Sequence, residues 1–484
     1  MPPIHVAVLG GGLAGMSAAI ALAQEGCRVT LIEKRAVLGG RAGSHLDATT
    51  GECVDNCQHV LMPCCTNLLD FYRRIGAREK IRFYPEIPFI ESEGRVSFLR
   101  SCFLPAPLHC TPSFLRLPFL SLRDKWRISL GLVSLLFWRE KGIENGSALD
   151  WLRARRQSQR SIEDFWQPVL VSALNEGVDK ASIRYAAKVF LDAFLSHPRG
   201  WWLGIPSVPL SVLYGASLVS TLENHQGQVL LQREVRELAV RNGQIVSAAL
   251  SQGENVRADA FVLALPWQAA PAVMPEEIRT LTMGASLEKL DPSPITGVHL
   301  WFDRVVTNLA FAALPGKQVH WFFNKTRTFD GSSSAASYLQ LVTSAARGWM
   351  RLTKSQILEI ALRELQEVLP EARDARVLKS LVLKEPLATF SPSSENERFR
   401  PGPETTMRNL FLAGDWIQTG WPATMEGAVR GGYLAAQAVL RAQGLSRKIL
   451  VPDLAPSGFM RFLRRPEPPT HQSAIRSGSQ FTLP

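Results

Sequence analysis

Short apolar runs of strand length punctuate the chain near both ends. Ile4–Leu9 and Arg28–Ile32 are two such runs, and the alanine-rich stretch Met16–Gln24 between them predicts a helix. The strand pattern returns at Val229–Leu238 and at Phe261–Pro266. It appears again at Asn409–Ala413, after which Thr424 opens a helix that continues through Ala438. Further strands are expected at Gly297–Phe302 and Ser337–Thr343, and a helix at Lys354–Val368. Residues 101–215 read as helical and apolar, with Pro105, Pro107, Pro112 and Pro118 marking a loop at their start. The alternation of strands and helices predicts an α/β fold.

The end of the first strand carries the first chemistry. Leu9 runs straight into Gly10-Gly11-Gly12-Leu13-Ala14-Gly15. An apolar strand, a glycine turn and a helix start together form a site for a dinucleotide pyrophosphate. Gly10 allows the tight turn, Gly12 lets the backbone approach the phosphates, and Gly15 lets the helix pack close to the strand. The helix N-terminus supplies free N–H groups and the positive end of a dipole, and Leu13 and Ala14 are counted with the glycines as cofactor-binding. Glu33 ends the second strand at the distance expected for an acid that binds ribose hydroxyls. These features predict a Rossmann-type dinucleotide-binding domain.

The residues after Glu33 are Lys34-Arg35-Ala36-Val37-Leu38-Gly39-Gly40-Arg41. This run resembles the ExxxxxGGR continuation of the FAD-dependent amine oxidase and carotenoid desaturase superfamily. Near the other end, Gly414-Asp415 and Thr424-Met425-Glu426-Gly427-Ala428 are similar to the GD…MEGA ending of the same superfamily. The resemblance implies FAD as cofactor, with Glu33 and Lys34 among the residues that bind it. It puts Gly39, Gly40 and Arg41 along the flavin side, Gly414 and Asp415 on the pyrophosphate and ribitol, and Thr424 and Met425 at the pyrimidine end. Val235 would meet the adenine through its backbone. A helix N-terminus there suits the negative charge that reduced flavin carries near N1.

The two signatures lie almost 400 residues apart, so one fold must bring both to a single cofactor. The expected plan is a discontinuous FAD-binding domain of residues 1–100, 216–266 and 381–445. A mixed and helical substrate domain, residues 101–215 and 267–380, is inserted in it, and residues 446–484 form a basic, partly disordered tail.

Composition narrows the setting. The 484 residues are 46% hydrophobic, ample for two domains with cores of their own. The first strand begins at Ile4 with no basic segment before it, so a secretory leader is not expected. The seven cysteines match no zinc spacing, which predicts free thiols in a reducing compartment and no metal site. The net charge of +11 is uneven: between Arg100 and Arg160 there are 11 Lys/Arg against 4 Asp/Glu, and from Ser446 onward 6 against 2. Nucleic acid as a partner would want those cations interleaved with exposed polar and aromatic groups. Here they flank the apolar runs Phe114–Leu120 and Ile128–Trp138. The second run is too short to span a bilayer, which needs about 20 residues. It can lie in the interface with its cations toward anionic lipid. The expected location is the cytoplasm, peripheral on the inner face of the cytoplasmic membrane.

Three internal segments refine the resemblance. They are Val54-Asp55-Asn56-Cys57-Gln58-His59, Leu104-Pro105-Ala106-Pro107-Leu108-His109 and Phe165-Trp166-Gln167-Pro168-Val169-Leu170-Val171-Ser172-Ala173-Leu174-Asn175. They look like the DNGQH, LPAPLH and FWxPLxxAALN stretches of the hydroxysqualene dehydroxylase family of squalene and hopanoid biosynthesis. Cys57 stands where that family has glycine, and the tail after about residue 450 has no counterpart. The resemblance implies loss of an allylic hydroxyl as water, with hydride from N5 of reduced FAD quenching the allylic cation to give squalene. That chemistry needs a proton donor, a dry site and an apolar tunnel for a long chain. Asp55 and His59 are the candidate donors. Trp166, Trp201, Trp202, Trp301, Trp321 and Trp421 are candidates for lining the tunnel, with π faces open to a cation.

Other readings share parts of this pattern. A phytoene-type carotenoid desaturase has the same FAD signatures and runs the flavin in the oxidising direction. An amine oxidase often has an aromatic residue directly before Met-Glu-Gly-Ala, where this chain has Thr424. A non-enzymatic isoprenoid-binding protein of the same fold would lack a working FAD site. The external reductant is not legible, since only one dinucleotide fingerprint is present.

Overall fold

The structure is a computed structural model that describes residues 3–47, 51–137, 146–281, 287–331 and 336–463. Five parallel strands lie in the spatial order Leu410–Leu412, Ala260–Leu263, His5–Leu9, Arg28–Ile32 and Gln228–Leu230. Side chains alternate across this sheet. Val6 and Val8 enter the core on one face, and Ala7 and Leu9 enter the core on the other. The first core holds the helices Leu13–Gln24, Leu210–Glu223 and Met425–Ala442. On the opposite face lies an antiparallel sheet of Val235–Arg241, Gln244–Leu250 and Asn255–Val256.

A second sheet of seven strands forms the inserted unit. Its order is Val377–Phe390, Pro292–Phe302, Ser337–Thr343, Trp321–Asn324, Phe311–Ala313, Glu86–Ile90 and Val96–Arg100. The helix Lys354–Val368 covers one face through Ile357, Ala361 and Leu365. A helical layer that includes Leu122–Leu136, Gln167–Leu174 and Ile183–Lys188 packs on the other face around Trp166 and Phe190. The expected strand Ser337–Thr343 and helix Lys354–Val368 form with those bounds.

The chain crosses between the two units at other points than composition suggests. Residues 86–100 belong to the inserted sheet, because Glu86–Ile90 pairs with Phe311–Ala313 through a parallel contact of Phe89 with Ala313. The helix Leu210–Glu223 buries Leu210, Leu213 and Leu218 in the first core, so the insertion ends before residue 215. The strand Val377–Phe390 extends the inserted sheet beyond residue 380. Residues 446–463 of the expected tail pack on the body: Ile449 joins the first core and the Phe459 amide donates to the Ala106 carbonyl at 3.0 Å. The rest of that tail lies outside the described residues.

Candidate functional site

At the first turn the structure puts each glycine to a different use. Gly10 has φ +114°, and a Cβ there would stand 2.7 Å from the Ala264 carbonyl oxygen. A Cβ on Gly15 would lie 1.8 Å from the Gly10 oxygen, so the helix start rests directly on the turn. Beside Gly12 there is open space, with no heavy atom within 4 Å of a built Cβ. Gly12 precedes Leu13–Gln24 with no side chain capping that helix. Its first N–H groups therefore have no side-chain acceptor, and the open side of Gly12 lets an anion approach them. Glu33 is buried, and its carboxylate accepts from the Gly11 and Arg35 amides, each at 2.8 Å. The Gly39 amide donates to the Gly11 carbonyl at 2.9 Å, which lays the Gly39-Gly40-Arg41 loop against the turn.

The other end of the chain completes this wall. The Arg41 guanidinium pairs with Asp415 at 2.5 Å, donates to the Ala388 carbonyl at 2.9 Å and lies 5.2 Å over the Trp267 ring. Thr424 caps the helix Met425–Ala442, its hydroxyl oxygen accepting from the Gly427 amide at 3.1 Å. One cavity of about 850 Å³ runs through the molecule, and its wall includes Gly10, Gly12, Leu13, Ala14, Glu33 and Lys34. Gly39, Gly40, Arg41 and Val235 also line it, as do Gly414, Asp415, Thr424 and Met425. Gly15, packed beneath the turn, is the cofactor candidate that does not face it. A carboxylate at one end, a glycine cradle with bare N–H groups in the middle and a second helix N-terminus at the other end fit an extended dinucleotide such as FAD.

Sequence reasoning passed over two supports of this wall. Arg400 is buried and donates to the Asp415 carbonyl at 3.0 Å and to the Thr419 hydroxyl at 3.2 Å. A Cβ on Gly431 would come within 2.2 Å of the Gly414 carbonyl oxygen, so the helix after Met425 presses on the Gly-Asp loop. The Gly431-Gly432 pair within a helix was the available signal, since glycine there marks close packing.

Away from the dinucleotide cradle the cavity becomes apolar, with Leu117, Phe119, Leu132, Phe165 and Phe323 among its walls. Trp321 and Trp421 line it. The other four candidate tryptophans do not. Trp166 and Trp201 are fully buried, their indole N–H groups donating to Gln157 and Ser101. Arg199 lies over Trp202, and Trp301 stacks on Tyr338 with ring centres 4.3 Å apart. Beside Trp421 a charged pair faces the cavity: the Lys188 ammonium sits 2.7 Å from Asp192 and 4.6 Å above the Trp421 ring.

Asp55 and His59 have different fates. Asp55 is buried outside the cavity wall, where its carboxylate accepts from the Lys325 ammonium at 3.0 Å, the Ser44 hydroxyl at 2.7 Å and the Leu210 amide at 3.0 Å. Burial pushes the carboxyl up, but Lys325 and these hydrogen bonds outweigh it and hold it below the usual carboxylate range. Asp55 is thus the anion of a buried ion pair and not a proton donor, which corrects the expectation. His59 does line the cavity. Its Nδ1–H donates to the Cys57 carbonyl at 2.8 Å, which leaves Nε2 as an acceptor. Burial lowers its pKa further than the Cys57 carbonyl raises it, so the imidazole is neutral at pH 7. His59 therefore offers a lone pair where a proton was expected. Cys57 also lines the cavity, and burial pushes its thiol up to about 12.

Comparison with known proteins agrees with this geometry. The profile of a family described as flavin containing amine oxidoreductase matches residues 13–440. A 15-cis-phytoene desaturase of Synechococcus elongatus is 26% identical over 91% of this chain and 96% of its own. A probable zeta-carotene desaturase of the same organism is 26% identical over 92% of this chain and 100% of its own. Among solved structures, an oxidoreductase from Methanosarcina mazei superposes with a TM-score of 0.69 at 18% identity, covering 89% of this chain and 99% of that one.

Proposed function

This chain belongs to the flavin containing amine oxidoreductase family, whose cofactor is FAD, and on that premise we propose that it removes the allylic hydroxyl of hydroxysqualene to give squalene. One observation carries this reading. The three segments that resemble the hydroxysqualene dehydroxylase family are scattered between residues 54 and 175, yet all reach the same cavity. Asn56–His59, Pro107 with Leu108, and Phe165 with Val169 and Ala173 line it together with the dinucleotide cradle. Its apolar part suits a polyisoprenoid, and it excludes the water that would trap a cation. Bound FAD supplies the hydride. His59, neutral with Nε2 open, accepts from the substrate hydroxyl and fixes its orientation. The Lys188 ammonium, which lines the same cavity beside Asp192 and Trp421, is the source of a proton for the departing oxygen.

A second reading has its own support. The relatives named above are desaturases, and a neutral His59 is equally suited to take a proton as a C–H bond is oxidised. Anaerobic incubation of reduced holoprotein with hydroxysqualene separates the two. Reoxidation of the flavin matched by squalene supports dehydroxylation. No reoxidation, with bleaching of oxidised holoprotein by phytoene, establishes the desaturase reading instead.

A further inference from the structure

Large apolar side chains stand in water on one side of the molecule. The helix Leu122–Leu136 exposes Leu122 at 81%, Trp126 at 64%, Leu130 at 49% and Val133 at 48%, and Phe137 follows at 70%. At about 100° per residue these five fall within a stripe roughly 80° wide. The opposite side of the helix is satisfied: Ile128, Gly131 and Leu135 are buried. Nearby, Phe103 is 97% exposed and Phe462 86% exposed. The Phe459–Leu463 segment is tied to the loop that holds Leu108 by the Phe459 amide, which donates to the Ala106 carbonyl. Leu108 and Val133 connect these parts, since both line the cavity and both are about half exposed. The cavity wall therefore reaches the surface at this apolar face.

The charge on this face has one sign. Arg123 and Arg127 flank the stripe on the same helix, and Arg116 and Arg461 are exposed close by. None of the four has an ion-pair partner among the described residues. The acid in this helix, Asp124, is buried and accepts from the Ser121 and Ser158 hydroxyls, and it makes no ion pair with these arginines. Among the described residues no helix is long and apolar enough to cross a membrane. Exposed aromatics beside unpaired arginines are the pattern of a surface that sits in a lipid interface.

We propose that this face docks on an anionic lipid bilayer, with Leu122, Trp126, Phe103 and Phe462 in the acyl boundary and the arginines among phosphate head groups, so that the cavity mouth opens into the lipid. The delivery of substrate by that route rests on the polyisoprenoid reading above; the docking itself does not. The test is flotation of FAD-loaded protein with vesicles of phosphatidylcholine alone and of phosphatidylcholine mixed with phosphatidylglycerol. Flotation with the anionic vesicles is expected. The pairs Leu122→Ser/Trp126→Ser and Phe103→Ser/Phe462→Ser should each cut the bound fraction about tenfold, with flavin absorbance unchanged to show intact folding. Arg123→Glu/Arg127→Glu should weaken binding to the anionic vesicles about tenfold or more. The proposal is overturned if the native protein floats with neither composition. It is also overturned if light scattering shows a dimer that these substitutions dissolve, because a second copy then covers the face. Flotation without turnover of hydroxysqualene strikes the substrate reading alone, and turnover without flotation strikes the docking alone.

Discussion

Single side chains decide which groups can carry protons. With Nδ1–H committed to the Cys57 carbonyl and burial holding the ring neutral, His59 works through Nε2. His59→Gln should retain FAD and lose rate by roughly ten- to a hundredfold, the value of one buried hydrogen bond. Because the neutral form is the active one, the native rate should be level above the ordinary histidine range. It should fall only as pH drops through the lowered pKa. Steady-state rates across pH check this, and an acid limb that persists unchanged in His59→Gln rejects the assignment. Asp55 answers a different measurement. Asp55→Asn leaves the Lys325 ammonium buried without its anion and should cost about 3–5 kcal/mol in a urea unfolding experiment. Asp55→Asn combined with Lys325→Met should recover much of that loss. Since the folded pKa of Asp55 is depressed, its contribution is complete above the unfolded value and is lost as pH falls through the folded one. Sequence alone had no access to this role, because the partner lies 270 residues away.

Elements show what was legible and what was not. The helix Lys354–Val368 was readable because its period is local and a capping box of Thr353 and Gln356 starts it. The place of Glu86–Ile90 was not, because its neighbour Phe311–Ala313 lies more than 200 residues further along. The glycine turn was legible in composition, yet its glycines differ in kind. Gly12→Ala places a methyl in open space at an ordinary backbone angle, so apoprotein melting should not change while FAD affinity falls. Gly431→Ala gains about 1 kcal/mol of helix propensity. That gain is outweighed by contact with backbone atoms of Gly414 at 2.2 and 2.8 Å, at a cost of about 1–3 kcal/mol. Thermal melting of both apoproteins beside FAD titration tests the contrast. Equal behaviour of the two variants contradicts it.

At the scale of the whole molecule the cofactor ties distant parts of the chain together. The cavity wall takes residues from Gly10–Ala14, Val235 and Gly414–Met425, so FAD holds the first and last segments of the dinucleotide domain in one arrangement. Free FAD at a hundred times its dissociation constant should add about 2.7 kcal/mol to stability. Calorimetry of the apoprotein with increasing FAD should show one transition rising in temperature. A transition that ignores FAD removes the flavin site from this cavity.

The strand order also has a consequence for how the protein is made. His5–Leu9 lies beside Ala260–Leu263, and that strand lies beside Leu410–Leu412. A ribosome adding roughly 5–20 residues per second delivers the last of these on the order of tens of seconds after the first. Through that interval the face of the first helix that Gly432 covers, at Ala14 and Ser17, has no partner. Flavin capture by the complete site therefore waits until the final long helix emerges and covers that face.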